Sequence, residues 1–482
     1  MKNWGSIVAL LALGLLGCAS IGPRGLTAQA PVPVGRAVPV AVPAPGPPVR
    51  AAAPPVRLPE PGTALTLADV VAIALENNPA TRASYHQALA AAAQLARDRA
   101  AYYPSVDFSA TFTRQQQSAL GGRFDYLQSS YGPAVNLNYL VLDMGGRAAT
   151  AEEARLGLLA ADWSHNATIA NVTLEVEKTF VAYLDAKAQR AAAQDALAKA
   201  QAALEAATVR HEAGVATVAE VLQAKTALSQ AQLALERISG QVLVIRGALA
   251  TAMGLPADTP LDVGELPGEL PVEAVQENVA QLIEQALAAR PDFAAARLAA
   301  EKAAVHVRSV RAEGLPRLQA SATATRSYFD PAVYANYGDS WSLRLAVSVP
   351  VFTGFETRAK VAKAREEAAV AEATAAGVEQ RLVLEVWQSY YDLQTASQLV
   401  ATSRDFLASA EQSHQVALAR YREGVGTILD LLAAQAALSQ ARAEEIAARA
   451  GWYLALAQLA HDTGMASPLL RQELALEGKE NQ

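Results

Sequence analysis

The side chains that could do chemistry are few and scattered along the chain. The six histidines stand apart, and none has a second ligand at the spacing that a metal site requires. They are His86, His165, His211, His306, His414 and His461. The sequence also lacks a nucleophile–base pair, a phosphate-binding loop and a cluster of metal-ligating residues. We therefore predict that this is not an enzyme, and we predict no catalytic residue, metal site or cofactor.

Cys18 is the only cysteine of the chain, which excludes an intrachain disulfide. It follows Lys2 and an apolar run over residues 7–16 that is too short to cross a bilayer. The tetrapeptide Leu-Leu-Gly-Cys resembles a bacterial lipobox, in which cleavage before the cysteine leaves that cysteine lipid-modified. In the lipoproteins that this resembles, an alanine such as Ala19 directs the chain to the outer membrane. The alternative is an ordinary signal peptide with an incidental cysteine.

Residues 1–17 are thus predicted to be a signal peptide, and residues 18–62 a lipid-anchored linker. Eleven prolines fall within residues 30–62, and proline is excluded from helix interiors and inner strands. The segment is therefore expected to be extended or disordered. A proline-rich ligand for a recognition domain is the alternative interpretation.

Charge and composition argue against nucleic acid as a partner and favour a core of packed helices. The net charge is −7, and no basic patch is visible, so nucleic acid is not an expected partner. Aromatic residues make up only 6% of the chain and alanine is abundant, which suits closely packed helices better than a large enzyme core.

A repeated segment organises the folded part of the chain. Residues 420–441 match residues 210–231, with eleven of 22 positions identical. In each copy a glycine precedes a threonine by three residues between two long helical patterns. Glycine ends a helix in the left-handed conformation, and threonine caps the next helix. We therefore predict two helical-hairpin tips and a tandem duplication, with repeats over residues 63–265 and 266–482, the latter including the C-terminal tail.

Each repeat is predicted to run in the order helix, β-hairpin, long helix, helix. The helical ranges are Thr66 to about Ala101 with a break at Asn78-Pro79, Gly146–His211, Val218–Met253, Val279–Glu313, Arg358–Tyr421 and Ile428–Thr463. The two longest would each span about 100 Å at 1.5 Å per residue. A long antiparallel coiled coil without a channel is the alternative for these helices.

After Pro104 and Pro316 the apolar period changes from 3.6 to 2 residues, which predicts strands. The predicted strands are Ser105–Thr113, Pro133–Val141, Arg317–Thr325 and Ser340–Val349, joined by outer loops at Gln115–Tyr131 and Tyr328–Asp339. About nine residues suit a transmembrane β-strand, although a soluble hairpin remains the alternative. Four strands cannot close a barrel, so crossing a membrane would require two or three copies of the chain.

From Leu65 to about Met465 the sequence resembles the TolC-like outer-membrane efflux family. The resemblance rests on the duplication, the strand pairs, residues 142–147 after the first hairpin, and the pattern Tyr421-x-x-Gly424-x-x-Thr427-Ile428-x-Asp430. It implies a mainly α fold with a transmembrane β-barrel, formed as a trimer with a twelve-stranded barrel on a twelve-helix periplasmic tunnel.

The resemblance also implies a function and partners. The chain would be the outer-membrane exit duct of a tripartite efflux system that passes small molecules such as drugs. Its partners would be two further copies of itself, a periplasmic adaptor, an inner-membrane pump of the RND type, and outer-membrane lipids. Two alternatives stay open, namely the exit duct of a type I protein secretion system and a coiled-coil envelope scaffold.

The resemblance places a periplasmic aperture at the second tip. Three copies of Asp430 about the threefold axis would repel one another and attract cations. Glu220 occupies the equivalent position of the first tip, and Tyr421 would donate its hydroxyl to Glu220 to latch the closed state. Ala433 and Gly426 replace a second acid and a basic latch residue of the family, which weakens the ring and removes one clamp. The alternative is that both acids merely start helices, where the macrodipole favours them.

The same tips would receive the helical hairpin of the adaptor, because their small residues allow close approach. The candidate docking residues are Gly214, Val215, Thr217, Gly424, Val425, Gly426 and Thr427. The alternative is that the glycines only terminate helices.

Acylation of Cys18 can be tested directly. We expect mass spectrometry of the mature protein to show an N-terminal lipid-modified Cys18, since the tetrapeptide before the cleavage point resembles a lipobox. Cys18→Ser should abolish the modification. An unmodified Cys18 in the mature wild-type protein would contradict the lipobox interpretation.

Overall fold

The computed structural model describes residues 64–119, 124–264, 278–332, 335–465 and 467. They belong to one of the two structural units of the chain, Pro48–Gln482. The signal peptide, Cys18, the whole linker and most of the C-terminal tail predicted above lie outside the described residues.

The first repeat follows the predicted order of elements. It contains β1 (Ala64–Leu65), α1 (Leu67–Asn77), α2 (Pro79–Arg99), β2 (Ser105–Ala119), β3 (Phe124–Leu142), α3 (Gly146–Glu212), α4 (Val218–Ala252) and β4 (Asp262–Val263). Thr66 caps α1 in a capping box with Asp69. Asn78 caps α2 with Pro79 in its first turn, so the helix is interrupted there as predicted.

The second repeat has the same order and nearly the same lengths. It contains α5 (Val279–Ala289), α6 (Pro291–Ala312), β5 (Arg317–Asp330), β6 (Tyr337–Ser348), α7 (Glu356–Arg422) and α8 (Ile428–Asp462). The long helices α3 and α7 have 67 residues each, and the return helices α4 and α8 have 35 each. The predicted duplicated half-repeat is therefore confirmed.

β1 pairs with β4 in a short parallel ladder, and β2, β3, β5 and β6 form a four-stranded sheet in the order β2-β3-β5-β6, with every neighbouring pair antiparallel. They are longer than predicted, because the ladder from Ser105↔Asn138 to Ala119↔Phe124 continues through most of the residues assigned to the first outer loop. The second predicted loop is shortened in the same way. The prediction of nine-residue strands was wrong because polar residues at the strand ends hide the alternation, while backbone pairing does not depend on side-chain polarity.

The helices pack side by side along the two long ones. Near the sheet, α3 packs against α2 and α6, and α7 packs against α6. Farther from the sheet, the return helices take their place: α3 packs against α4 and α8, and α7 packs against α8. The largest core lies where the short helices meet, around Leu67, Val176, Phe180, Leu249 and Leu382. Among the helices within the described ranges, none carries an apolar stretch sufficient to span a bilayer.

A short polar junction joins the sheet to α3. Met144 and Gly145 both have positive φ, which turns the chain sharply between β3 and the helix. The Arg147 side chain then reaches back and donates hydrogen bonds to the carbonyls of Leu140 (2.7 Å) and Val141 (3.0 Å), and it pairs with the Asp143 carboxylate. Arg147 therefore fixes the direction in which the first long helix leaves the sheet.

One acid lies buried in the main core. The Glu177 side chain on α3 is 1% exposed, and its Oε1 has no hydrogen-bond partner among the described residues. Burial raises the pKa of Glu177 to about 7, and the nearby Ser467 hydroxyl and His461 only partly oppose this. The core therefore holds Glu177 mainly in its neutral form below neutral pH.

This burial predicts a pH-dependent stability. The unfolded chain loses the Glu177 proton near pH 4.5 but the folded chain only near pH 7, so stability falls as pH rises through this interval. We expect a loss of about 3 kcal/mol between pH 4.5 and 7 from this group. Thermal unfolding followed by circular dichroism at pH 5 and pH 8 should show a smaller difference for Glu177→Gln than for wild type. Exposed Glu175 provides the control, because Glu175→Gln should keep the wild-type difference; an unchanged difference in Glu177→Gln would contradict the assignment.

Candidate functional site at the hairpin tips

Both tips end their long helix with the same backbone turn. Gly214 and Gly424 adopt φ of +75° and +76°, which a residue with a Cβ atom tolerates poorly. The Gly214 N–H donates to the His211 carbonyl, and the Val215 N–H donates to the Arg210 carbonyl. This pair of bonds is a Schellman motif, and the second tip repeats it. The glycines therefore terminate the helices as the spacing predicts.

Both predicted acids close a capping box at the start of the return helix. The Glu220 carboxylate accepts from the Thr217 backbone N–H at 3.3 Å, and Asp430 does the same with Thr427 at 3.2 Å. The Thr427 hydroxyl also donates to Asp430, and this bond is the main reason that the pKa of Asp430 lies below its usual range. Asp430 is solvent-exposed and therefore charged at neutral pH. The helix-start role of both acids is confirmed, and it leaves the Asp430 charge available at the surface.

The two tips are joined to each other by Arg210 and Tyr421. Arg210 lies in the last turn of α3, and its guanidinium stands 4.9 Å from the centre of the Tyr421 ring. One of its nitrogens donates to the Tyr421 carbonyl at 3.0 Å. The Tyr421 side chain packs with Ile428 and Leu431, so the residue is only 2% exposed.

The predicted hydrogen bond from Tyr421 to Glu220 is not formed in this structure. The Tyr421 hydroxyl is buried and has no hydrogen-bond partner among the residues described. Burial raises the pKa of Tyr421 and nearby Glu220 adds to this, but the Glu220 carboxylate caps its own helix instead of accepting from Tyr421. The prediction failed because it assigned Glu220 to Tyr421, whereas the backbone N–H of Thr217 lies within reach on the same turn.

The tips also expose apolar side chains. Val215 is 64% exposed and Val425 is 68% exposed, and both stand at the outermost part of their turns. Leu429 in the first turn of α8 is likewise exposed. Gly426 differs from its neighbours, because a Cβ atom there would lie 3.0 Å from the Arg420 Cβ and 3.2 Å from backbone. The turn is therefore tightly packed around Gly426 and open to solvent at Val425.

Arg210 was not predicted as a site residue, although a signal was present. It is one of the eleven identical positions of the repeat, but identity at that position predicts only a shared turn. Its partner Tyr421 corresponds to His211 in the first tip, and the His211 ring contacts the Ala216 carbonyl of its own turn. Only the structure shows that Arg210 of the first tip contacts Tyr421 of the second tip.

The described part of the chain contains no group of three His, Cys, Asp or Glu side chains arranged to hold a metal ion. It presents two turns with exposed valines at the end of two helices of about 100 Å, with the acids Glu220, partly buried, and Asp430, exposed, at the starts of the return helices.

Comparison with known proteins identifies the family that shares this architecture. The family model described as "Outer membrane efflux protein" matches residues 70–255 and 282–465, which is most of the chain and one match per repeat. The chain belongs to this outer membrane efflux protein family. It therefore has the TolC-like fold and is an outer-membrane protein, as predicted.

Two curated relatives and one solved structure illustrate the similarity. Protein CyaE of Bordetella pertussis is 30% identical over 79% of this chain and 80% of its own length. Outer membrane protein OprJ of Pseudomonas aeruginosa is 28% identical over 76% of this chain and 77% of its own. The crystal structure of the outer membrane protein VceC from Vibrio cholerae superimposes with a TM-score of 0.74 at 20% identity, covering 83% of this chain and 96% of VceC.

Proposed function

We propose that this protein is the exit duct of a tripartite efflux system that passes small molecules such as drugs out of the cell. It would receive them from an inner-membrane pump of the RND type through a periplasmic adaptor. The observation that carries this proposal is the continuity of a four-stranded sheet with two helical hairpins whose tips lie at the far end of the long helices. Family membership supports the same direction of transport.

Trimeric assembly is part of the proposal, because the sheet has two open edges. Among the described strands, β2 and β6 each pair on one side only. Along β6 the apolar side chains of Trp341, Leu343, Leu345 and Val347 are all exposed. Open strand edges are not tolerated in lipid, so neighbouring copies must pair them. Three copies would give twelve strands, which lies within the range of transmembrane barrels.

The proposed N-terminal lipid anchor would hold the same assembly in the outer membrane. Cys18 would carry the lipid, and residues 18–62 would form the linker to the first helix. Residues 63–265 and 266–482 would then form the two halves of each copy.

Asp430 would form the ring of charge at the periplasmic entrance of the trimer. In planar bilayers we expect cation-selective channels that a trivalent cation blocks from the entrance side. Asp430→Asn should weaken the block by about tenfold, because it removes three like charges from a narrow ring. Asparagine retains an oxygen for the capping box, so the turn should persist. Glu372→Gln, at an exposed acid far along α7, should leave the block unchanged.

The recordings on the wild-type protein test the channel assignment itself. Trimers that insert into the bilayer and never conduct, even under high voltage, would favour the scaffold alternative. Conducting trimers whose block is equal in wild type and Asp430→Asn would retain the channel but remove Asp430 from the entrance.

The exposed valines would form the docking surface for the adaptor. Val215→Asp and Val425→Asp should each lower adaptor binding to purified trimers by at least about tenfold, because each places a charge in an apolar contact. Val425→Thr keeps the shape of the side chain and should bind nearly as wild type. Gly426 is unsuitable for this test, since a larger side chain there would distort the turn itself. Unchanged adaptor affinity in both aspartate variants, with trimers intact, would indicate that the tips only end helices.

A further inference from the structure

The two hairpin tips of one chain meet in a contact that the aperture described above does not use. We propose that Arg210 is a positioning residue that holds the two tips together in the closed state, acting on the ring and carbonyl of Tyr421 rather than on its hydroxyl. This proposal rests on the proposed channel function, because it assigns the regulation of the same entrance.

The geometry engages Arg210 with Tyr421 in two independent ways. Its guanidinium lies over the aromatic face at 4.9 Å, a cation–π arrangement. The same group donates to the Tyr421 backbone carbonyl at 3.0 Å. The first contact fixes the tyrosine side chain and the second fixes the backbone of the turn. Together they hold the end of α7 against the end of α3.

Electrostatics explains why a cation is needed at this point. α3 and α7 both end at the tips, so the negative ends of their two macrodipoles lie near each other. The Tyr421 carbonyl belongs to the last turn of α7, where it accepts from the Gly424 N–H of the Schellman turn and has a second lone pair for Arg210. Arg210 therefore brings a positive charge from one helix end to the carbonyls of the other.

The Tyr421 hydroxyl contributes nothing to this contact. It is buried without a hydrogen-bond partner among the described residues, while the ring around it is packed against Ile428 and Leu431. The aromatic ring is thus the part of Tyr421 that Arg210 recognises. Phenylalanine, which has the same ring, should serve equally well.

Among the described residues, the duplication provides one such contact at the tips. Arg420 is the counterpart of Arg210, but it is exposed, and the residue that corresponds to Tyr421 is His211. His211 contacts the carbonyl of Ala216 within its own turn. Release of Arg210 from Tyr421 would therefore loosen the two tips, while farther along the helices Arg442 stays paired with Asp195.

The distance between the tips gives a test that does not depend on conduction. Spin labels at Val215→Cys and Val425→Cys, both exposed positions, report the separation within one chain when a labelled chain is diluted into unlabelled trimers. Arg210→Met removes the charge and the donors at similar side-chain length. We expect it to broaden and lengthen the distance distribution relative to wild type. Arg210→Lys keeps the charge without the planar group and should fall between the two.

Two variants serve as matched controls in the same experiment. Tyr421→Phe and Arg420→Met should both keep the wild-type separation. Conductance should follow the distances, with leak through Arg210→Met raised by about tenfold as the closed population falls.

The outcomes test the contact between Arg210 and Tyr421 separately from the channel function. A wild-type separation in folded Arg210→Met would overturn the proposal, and so would widening in Tyr421→Phe, since the hydroxyl would then carry the contact. If Arg210→Met fails to fold, Arg210→Lys decides by the same criterion. If Arg210→Met increases the distance between the tips but neither it nor wild type conducts in a bilayer, the result would support the Arg210–Tyr421 contact and contradict the exit duct.

Discussion

The structure depends on the point at which two helices of 67 residues stop. A helix of that length has no intrinsic end, because each residue adds one hydrogen bond to those already formed. Glycine at positive φ ends both helices, and a threonine three residues later starts the return helix in each repeat. Both long helices start directly after the sheet, so equal lengths bring the two turns to the same level. The contact between Arg210 and Tyr421 is possible only because of that equality.

The two repeats share a backbone but differ in the polar contact at the break between their two short helices. At the break before α2, Asn78 donates to the Ala252 carbonyl at 3.0 Å. At the equivalent break before α6, Arg290 pairs with Asp292 at 2.6 Å and with Glu385 at 2.5 Å. A neutral amide and a buried guanidinium therefore perform the same task of holding a short helix against the long ones. Both repeats therefore keep a polar contact at this break, but the residue that makes the contact differs between them.

The helix ends could be predicted closely from the sequence, whereas the strand ends and the contact between Arg210 and Tyr421 could not. Apolar periodicity and terminal glycines are local signals, so predicted ends such as His211 lie within about two residues of the observed ones. Strand ends depend on pairing with a partner strand, which side-chain alternation does not report. A helix-start role of Asp430 was left open as the alternative because of the macrodipole, and the structure shows Asp430 in a capping box with Thr427. Arg210 was missed because its partner lies 211 residues away in the sequence.

Equal helix lengths also constrain how such a chain can change over evolution. An insertion of seven residues in α3 alone would move one turn by about 10 Å relative to the other and separate Arg210 from Tyr421. The same insertion in α7 would restore the level, and the return helices α4 and α8 would have to lengthen with them. Length variation among ducts of this architecture is therefore a concerted event, in which four helices gain or lose whole turns together.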